Sequence, residues 1–219
     1  LSSCFSLRPR KCSTLPVITN DQPSTETLDC LKYIDASPDP FHCIKYSSDL
    51  LEKNGFKCLD ESSKWNCLEP GGKYFYTKGM SSMVAFAVGK RYVPGNGFKI
   101  IGAHTDSPNL RVKPNVERRK NGVVQVNVAC YGGGLWHTWF DRDLSVSGLV
   151  IVRQPNGTLS QRLAKIDRPL LRISNLCIHL TAAEDRDAFR VNKEDHLMPI
   201  LCTEAQSQLN SVSSGTHSV

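Results

Sequence analysis

Long apolar runs are missing from this chain of 219 residues. A membrane-spanning helix needs about 18 or more apolar residues in succession, so no membrane span is expected. Internal repeats are also missing, which argues against a repeat architecture. Because 40% of the residues are hydrophobic, the chain can still bury a core, and its length suits one large or two small domains.

Paired cysteine motifs are absent as well, although the chain has nine cysteines. Their number is odd and none are spaced as Cys-x-x-Cys, so a disulfide framework is not expected. We expect reduced thiols in an intracellular protein. Asn156-Gly157-Thr158 matches a glycosylation sequon, but a hairpin turn is the favoured interpretation there. The cysteines are Cys4, Cys12, Cys30, Cys43, Cys58, Cys67, Cys130, Cys177 and Cys202.

The signals for nucleotide and nucleic-acid binding are weak. Gly132-Gly133-Gly134 is not followed by Gly-Lys-Ser/Thr, so this glycine run is not a phosphate-binding loop and instead indicates close backbone approach. The net charge is only +6, and the basic cluster over residues 111–120 has no interleaved aromatic side chains. We interpret that cluster as a solvated loop and expect no nucleic-acid partner.

Residues 1–24 form a basic, serine-rich leader with no acidic residue before Asp21. This composition is typical of a transit peptide, although a disordered leader without a targeting role would have the same composition. The expected location is therefore intracellular, with a plastid or mitochondrion slightly favoured over the cytoplasm.

Helical signals follow the leader. Apolar residues recur at helical spacing over residues 28–34, and Asp39 as N-cap with Pro40 at the first helical position predicts a second helix. Asn54 and the glycine after it should end that helix, and His42 within it is expected to be structural. Further along, short β segments are predicted. They cover residues 74–76, 83–88, 98–103, 123–131, 149–153, 163–166 and 170–173.

The segment Gly102-Ala103-His104-Thr105-Asp106 follows one of these predicted strands. On a strand, His104 and Asp106 would share a face, where an imidazole can bind a divalent ion and the carboxylate can orient it. Taken alone the pattern is weak, because a histidine on a strand is more often a satisfied polar residue.

Farther along, Asp141-Arg142-Asp143 suits a metal or substrate site less well than a local ion-pair network.

Several longer motifs surround this segment and resemble the aspartyl aminopeptidase family between about Leu28 and about Ile200. That family consists of di-zinc exopeptidases that remove N-terminal acidic residues. The resemblance implies an α/β zinc-exopeptidase-like peptidase domain with parallel-sheet character, an inserted β-rich dimerisation domain, and large homo-oligomers. The motifs are Ser37-Pro-Asp-Pro-Phe-His42, Tyr92-Val-Pro-Gly-Asn-Gly-Phe98, Ser107-Pro-Asn-Leu-Arg-Val-Lys113, Tyr131-Gly-Gly-Gly-Leu-Trp136 and Thr138-Trp-Phe-Asp-Arg-Asp-Leu144.

The resemblance also implies roles for individual residues. His104 would bind one of two zinc ions, and Asp106 would be its carboxylate partner in catalysis. His179 would reach across a dimer to stabilise the oxyanion of the tetrahedral intermediate, whereas its apolar surroundings alone would indicate a core residue. His196 matches the family without an assigned role.

The implied domains are the first part of the peptidase domain over residues 25–113, a partial inserted domain over 114–205, and a disordered polar tail over 206–219. The other zinc ligands and the general base of the family have no match in the chain, since they lie farther downstream. We therefore expect an incomplete aminopeptidase that is inactive alone. The alternative is a non-catalytic subunit that dimerises with a full-length enzyme and modulates it.

Overall fold

The computed structural model describes residues 22–214, and side chains as far as residue 209. Four α-helices lie in this part of the chain: α1 Thr25–Ala36, α2 Pro40–Lys53, α3 Ala183–Ala188 and α4 Glu204–Ser214. Two short 3-10 helices span Trp136–Trp139 and Ile178–Leu180. The strands are β1 Lys57–Cys58, β2 Lys73–Lys78, β3 Ser82–Ala87, β4 Asn109–Lys120, β5 Val123–Tyr131, β6 Asp143–Leu144, β7 Ser147–Arg153, β8 Leu159–Lys165, β9 Leu171–Arg172 and β10 Ile200–Thr203.

Both predicted helices are confirmed, together with their capping signals. Ser24 caps α1, and its hydroxyl accepts a hydrogen bond from the backbone amide of Thr27 at 3.3 Å. The Asp39 carboxylate caps α2 by accepting from the first free amides of the helix, each at 3.0 Å. Gly55 follows α2 with φ of +79°, the left-handed conformation that glycine adopts without strain at a helix end.

The strands form three sheets. β1, β2 and β3 make one sheet, in which β1 and β2 are parallel. A five-stranded antiparallel sheet has the order β4-β5-β10-β9-β6, and β7 pairs with β8 in a hairpin. The predicted parallel-sheet character is thus limited, among residues 22–214, to one short strand pair. Gly157 has φ of +84° at the β7–β8 turn, as the predicted hairpin requires.

Buried residues lie in two parts of the chain. In the first part, Tyr74 and Phe75 of β2 are buried together with Cys43 and Ile44 of α2.

The second part is the five-stranded sheet. β5 starts with alternating half-buried and buried positions, and its buried members are Val124, Val126 and Val128. This alternation is expected for a strand that packs one face against a core. Two adjoining clusters lie at this sheet. The first contains Val126, Val128, Leu171 and Met198, and the second contains Trp136, Ile173 and Leu197.

Three predicted elements differ from the structure. Residues 98–103 form no strand, and Phe98, Ile100 and Ile101 are 80%, 87% and 98% exposed. A strand requires a hydrogen-bonding neighbour, and none of the sheets between residues 22 and 214 includes this segment. The basic cluster predicted as a loop lies instead on β4, and α4 occupies most of the predicted disordered tail.

The predicted domain boundary at residues 113 and 114 falls inside β4. The pairing of β4 with β5 changes register between Val112 and Glu117, so the strand is irregular at this point. Most of the predicted leader lies outside the described residues, as do residues 215–219, Cys4 and Cys12. The other seven cysteines are free thiols, in agreement with the prediction. In the described part of the chain, no helix has the length and apolar character needed to cross a bilayer.

Candidate active site

His104 and Asp106 lie between β3 and β4, in a segment without regular secondary structure. The prediction that a strand end supports them is therefore wrong. Both residues line a cleft of about 900 Å³, whose walls include the first turn of α2, β3 and the β4–β5 pair. One attachment of the segment comes from Thr105, whose hydroxyl donates to the carbonyl oxygen of Ser81 at 2.8 Å.

The imidazole of His104 is held through its Nδ1 atom. Nδ1 lies 2.5 Å from the backbone oxygen of Asp106 and 3.4 Å from Oδ1 of the same residue. A carbonyl oxygen and a carboxylate oxygen can only accept, so Nδ1 must carry the proton in the neutral ring. Nε2 then keeps its lone pair, which is the form of histidine that binds a metal ion. The side chain is 79% exposed, so water and ions can reach it.

The second carboxylate oxygen of Asp106 has a different partner. It accepts a hydrogen bond from the hydroxyl of Tyr131 at 2.6 Å. This bond lowers the pKa of Asp106 and raises the pKa of Tyr131, because it favours the ionised carboxylate and the neutral phenol. The guanidinium of Arg111 lies 3.4 Å from the centre of the Tyr131 ring, a cation–π contact across β4 and β5. His104, Asp106, Tyr131 and Arg111 therefore form one connected group.

This group fits one ligand position of a zinc site. A neutral imidazole with a carboxylate partner on its other nitrogen is a common arrangement around zinc. A catalytic zinc ion normally takes three protein ligands, and no cluster of three or more histidine, cysteine, aspartate or glutamate side chains suited to a metal occurs in the part of the chain described. The described residues therefore do not complete a zinc centre by themselves.

Among residues 22–209, the other histidines do not belong to this group. His179 is exposed on the short helix Ile178–Leu180 and is not among the residues that line the cleft. His196 stacks on Phe189 with ring centroids 5.6 Å apart, and its Nδ1 accepts from the amide of Asn192 at 3.1 Å. His42 pairs with the N-cap carboxylate of its own helix at 2.7 Å, which agrees with its predicted structural role.

The charged motif around Arg142 forms the predicted ion-pair network with a different arginine. Arg172 lies 3.0 Å from Asp143 and 3.9 Å from Asp141, whereas Arg142 donates to the carbonyl of Thr138. Asp141 also accepts from the backbone and side chain of Asn175. The carboxylates of Asp141 and Asp143 thus connect residues 141–143 to residues 172–175.

Acidic side chains also accompany the basic cluster on β4. Arg118 contacts Asp195 at 2.7 Å, Lys113 contacts Glu194 at 3.1 Å, and Arg119 contacts Glu117 at 2.5 Å. The first two of these pairs join β4 to residues 192–196.

Sequence reasoning missed Tyr131 and Arg111 as members of the site. Both residues belong to motifs that carry the resemblance, but the interaction joins positions 20 or more apart in sequence. Residues that face each other across β4 and β5 can be found only from the register of the two strands. Asn121-Gly122 joins the two strands, with φ of +54° and +75°, and an Asn-Gly pair is a local signal for a two-residue hairpin turn. The turn sets the register only as far as Glu117 and Val126, because the pairing shifts between Val112 and Glu117, before the end of β5 that carries Tyr131.

The chain thus combines helices and sheets with an accessible imidazole and a carboxylate in one cleft, an arrangement that suits a metal-dependent enzyme. Residues 33–218 match the family described as aminopeptidase I zinc metalloprotease (M18). Since this match covers most of the chain, the chain belongs to the M18 aminopeptidase family. The resemblance based on its motifs is confirmed.

Relatives and solved structures agree with this assignment. The aspartyl aminopeptidase of Aspergillus oryzae is 51% identical over 174 residues, which are 79% of this chain and 34% of the relative. The chain therefore spans about a third of that protein. A chain in the cryo-EM structure of the Ape4 and Nbr1 complex superimposes with a TM-score of 0.78 at 46% identity, covering 81% of this chain and 34% of the other. The mApe1 dodecamer of S. cerevisiae has a TM-score of 0.67 at 26% identity, with coverage of 84% and 40%.

Proposed function

We propose that this chain contributes part of the active site of a zinc-dependent aminopeptidase that removes N-terminal aspartate or glutamate from peptides. The observation that carries the proposal is the hydrogen bonding of His104, which leaves Nε2 free in an open cleft. The names of the relatives support the substrate class, because the aspartyl aminopeptidase of Aspergillus oryzae is 51% identical over the 174 matched residues.

In this proposal His104 is a zinc ligand, and Asp106 is its carboxylate partner. Asp106 accepts from Nδ1, so it fixes the tautomer and limits rotation of the imidazole. Two bound zinc ions would supply an acidified water and polarise the scissile carbonyl. Because residues 22–209 supply one imidazole ligand, the remaining ligands must come from sequence outside this part, and the chain alone should show no turnover.

His179 is proposed to act from a second copy of the chain. Its exposed position supports this idea, since His179 is not among the residues that line the cleft of its own chain. In an oligomer its imidazole would donate a hydrogen bond to the developing oxyanion. Residues 114–205 are the proposed dimerisation domain, and the dodecameric relative supports a homo-oligomer.

A second candidate function is a non-catalytic subunit that binds a complete aminopeptidase and modulates it. The exposed apolar side chains of Phe98, Ile100 and Ile101 favour this candidate, because such a surface is usually covered by a partner. Both candidates assume an intracellular protein, which the free thiols support. Targeting to a plastid or mitochondrion remains a proposal based on the leader.

Complementation tests the proposed function. The chain is co-expressed with the portion of the Aspergillus oryzae enzyme that it does not match, and aspartate release from an aspartyl peptide is measured with zinc. We expect turnover that a chelator abolishes and that is lost with His104→Ala. His137→Ala, which removes another exposed histidine, is the matched control and should keep the activity.

Two results would contradict the main proposal. Chelator-sensitive turnover by the chain alone would show that it builds a complete centre, and His104-independent turnover would remove His104 from the site. If the chain instead binds an intact aminopeptidase and lowers its rate without supporting complementation, the modulating subunit is the better description.

A further inference from the structure

We propose that Tyr131 is a positioning residue for His104, acting through Asp106. The Tyr131 hydroxyl donates to the Asp106 carboxylate. Asp106 in turn provides both oxygen atoms that face Nδ1 of His104. The importance of this role for catalysis rests on the proposed function, in which His104 binds zinc. The hydrogen-bond chain itself can be tested without zinc and without activity.

The first step concerns what faces the imidazole. The two oxygen atoms near Nδ1, at 2.5 Å and 3.4 Å, both belong to Asp106. The tautomer and the direction of the His104 ring therefore depend on the position of a single residue. If the Asp106 side chain rotates, Nδ1 loses the carboxylate acceptor at 3.4 Å, and if the backbone of Asp106 also shifts, Nδ1 loses the carbonyl acceptor at 2.5 Å.

The second step concerns what fixes Asp106. Its backbone lies in a segment outside the sheets, and its side chain is 44% exposed, so little packing restrains it. The described side-chain hydrogen bond that connects Asp106 to the sheet comes from the Tyr131 hydroxyl, at 2.6 Å. A short bond from a phenol to a carboxylate is charge-assisted and is stronger than a neutral hydrogen bond.

The third step concerns what holds Tyr131 in place. Tyr131 is the last residue of β5 and stands opposite Asn109 on β4. The same strand contributes three buried valines to the core. Arg111 covers one face of the Tyr131 ring at 3.4 Å, which restricts the ring on that side. Tyr131 can therefore transmit the position of the sheet to Asp106.

The neighbouring residue reinforces this attachment. A Cβ atom added at Gly132 would lie 3.4 Å from Cγ of Pro108, so the backbone after Tyr131 lies against the residue that ends the His104 segment. Thr105 provides the other described hydrogen-bond attachment, to the β3 side of the cleft. Two of these three contacts involve residues 131 and 132, and the contact from Tyr131 is the one that reaches the side chain of Asp106.

This arrangement joins the two proposed domains at the metal ligand. His104 and Asp106 belong to the region 25–113, whereas Tyr131 belongs to the region 114–205. Tyr131 lies in the proposed dimerisation domain, and it would also set the orientation of His104, the proposed zinc ligand. Loss of the hydroxyl should release Asp106, let the His104 ring exchange between tautomers, and reduce the fraction with Nε2 free.

The test is nitrogen NMR of the histidine side chains in the labelled chain, at a pH above the ordinary histidine pKa. In the parent, we expect His104 as one tautomer with the proton on Nδ1, assigned by comparison with His104→Ala. In Tyr131→Phe, which keeps the ring beneath Arg111, we expect loss of the single tautomer and signals that report exchange between both forms. The backbone spectrum of β5 should be unchanged, which reports intact folding.

The matched control is Tyr76→Phe, which also removes a tyrosine hydroxyl. Tyr76 lies on β2, in a different sheet from Tyr131, and packs against Trp65. Tyr76→Phe should leave His104 as in the parent. Asp106→Asn is a second variant that keeps the shape of the side chain, and it should disturb the His104 tautomer as Tyr131→Phe does. An unchanged tautomer in Tyr131→Phe with a preserved β5 spectrum would overturn the proposal.

The NMR result separates this inference from the proposed function. If Tyr131→Phe changes the tautomer but complementation gives no His104-dependent turnover, the positioning role stands and the aminopeptidase proposal fails. If complementation succeeds and the tautomer is insensitive to Tyr131, the function stands and the positioning role fails. Where both hold, zinc affinity of the complemented enzyme should fall about 10–100-fold in Tyr131→Phe, the usual loss when a partner of a metal ligand is removed.

Discussion

Residues 98–103 and β5 are two short apolar segments close to the candidate site, and their surroundings differ. In β5, Val124 and Val128 are 4% exposed. Val124 pairs with β4 and β10, and Val128 pairs with β4. In residues 98–103, Ile101 is 98% exposed, and no described strand lies beside the segment. Similar apolar composition therefore leads to a strand only where a partner supplies hydrogen bonds and a packing surface.

The largest effect is expected when one aspartate is introduced into each segment in turn. Val128→Asp places an uncompensated carboxylate in the core, which costs on the order of 3–5 kcal/mol. Ile101→Asp changes an exposed position and should alter the free energy of unfolding by about 0.5 kcal/mol or less. Denaturant titration followed by circular dichroism measures both. Equal destabilisation by the two substitutions would mean that residues 98–103 are covered in solution.

The next effect concerns Gly132, the residue that follows β5. Gly132 has φ of +75°, so Gly132→Ala should cost about 1–2 kcal/mol through the left-handed backbone. The added methyl would make an ordinary contact with Pro108 rather than a clash. Gly133→Ala is the matched control, because an added Cβ there meets nothing within 4 Å. Thermal unfolding of both variants tests the prediction, and a harmless Gly132→Ala would contradict it.

The smallest effect concerns the ion pair between Arg118 and Asp195. The hydrogen bond from Arg118 lowers the pKa of Asp195, so the pair stabilises the fold above the ordinary aspartate pKa. This contribution is lost as the pH falls toward and through the lowered pKa of the folded state. Arg118→Gln should therefore make stability less dependent on pH in the acidic range.

Stability measured from neutral to acidic pH checks this expectation. Arg190→Gln, at an exposed arginine, controls for the change in net charge. A variant at Arg118 with the same acid dependence as the parent would show that the pair contributes nothing in solution.

Sequence patterns predicted the elements whose signals are local. Asp39 with Pro40 fixed the start of α2, and alternating valines predicted β5. Asn156 with Gly157 predicted the hairpin turn, because a turn signal also lies within a few neighbouring residues. Residues 98–103 were wrongly predicted as a strand, because the presence of a partner strand is not a local property.

The candidate site was predicted only in part. His104 and Asp106 were identified from their spacing and from the resemblance, and the structure brings their side chains together. Tyr131 was not found, because its contact with Asp106 lies beyond the register shift between Val112 and Glu117, which the Asn121-Gly122 turn does not predict. His179 lies apart from His104 in one chain, so its proposed role depends on an assembly that a single chain cannot test.

The course of β4 through residues 113 and 114 has a consequence for how the two proposed domains could have evolved. A boundary within a hydrogen-bonded strand means that neither side can be exchanged as a module without rebuilding the pairing with β5. A replacement for residues 114–205 would also have to bring a hydrogen-bond donor opposite Asn109 to meet Asp106. Recombination at this boundary should therefore be tolerated only between relatives that share the strand register, which ties the inheritance of His104, the proposed metal ligand, to that of Tyr131.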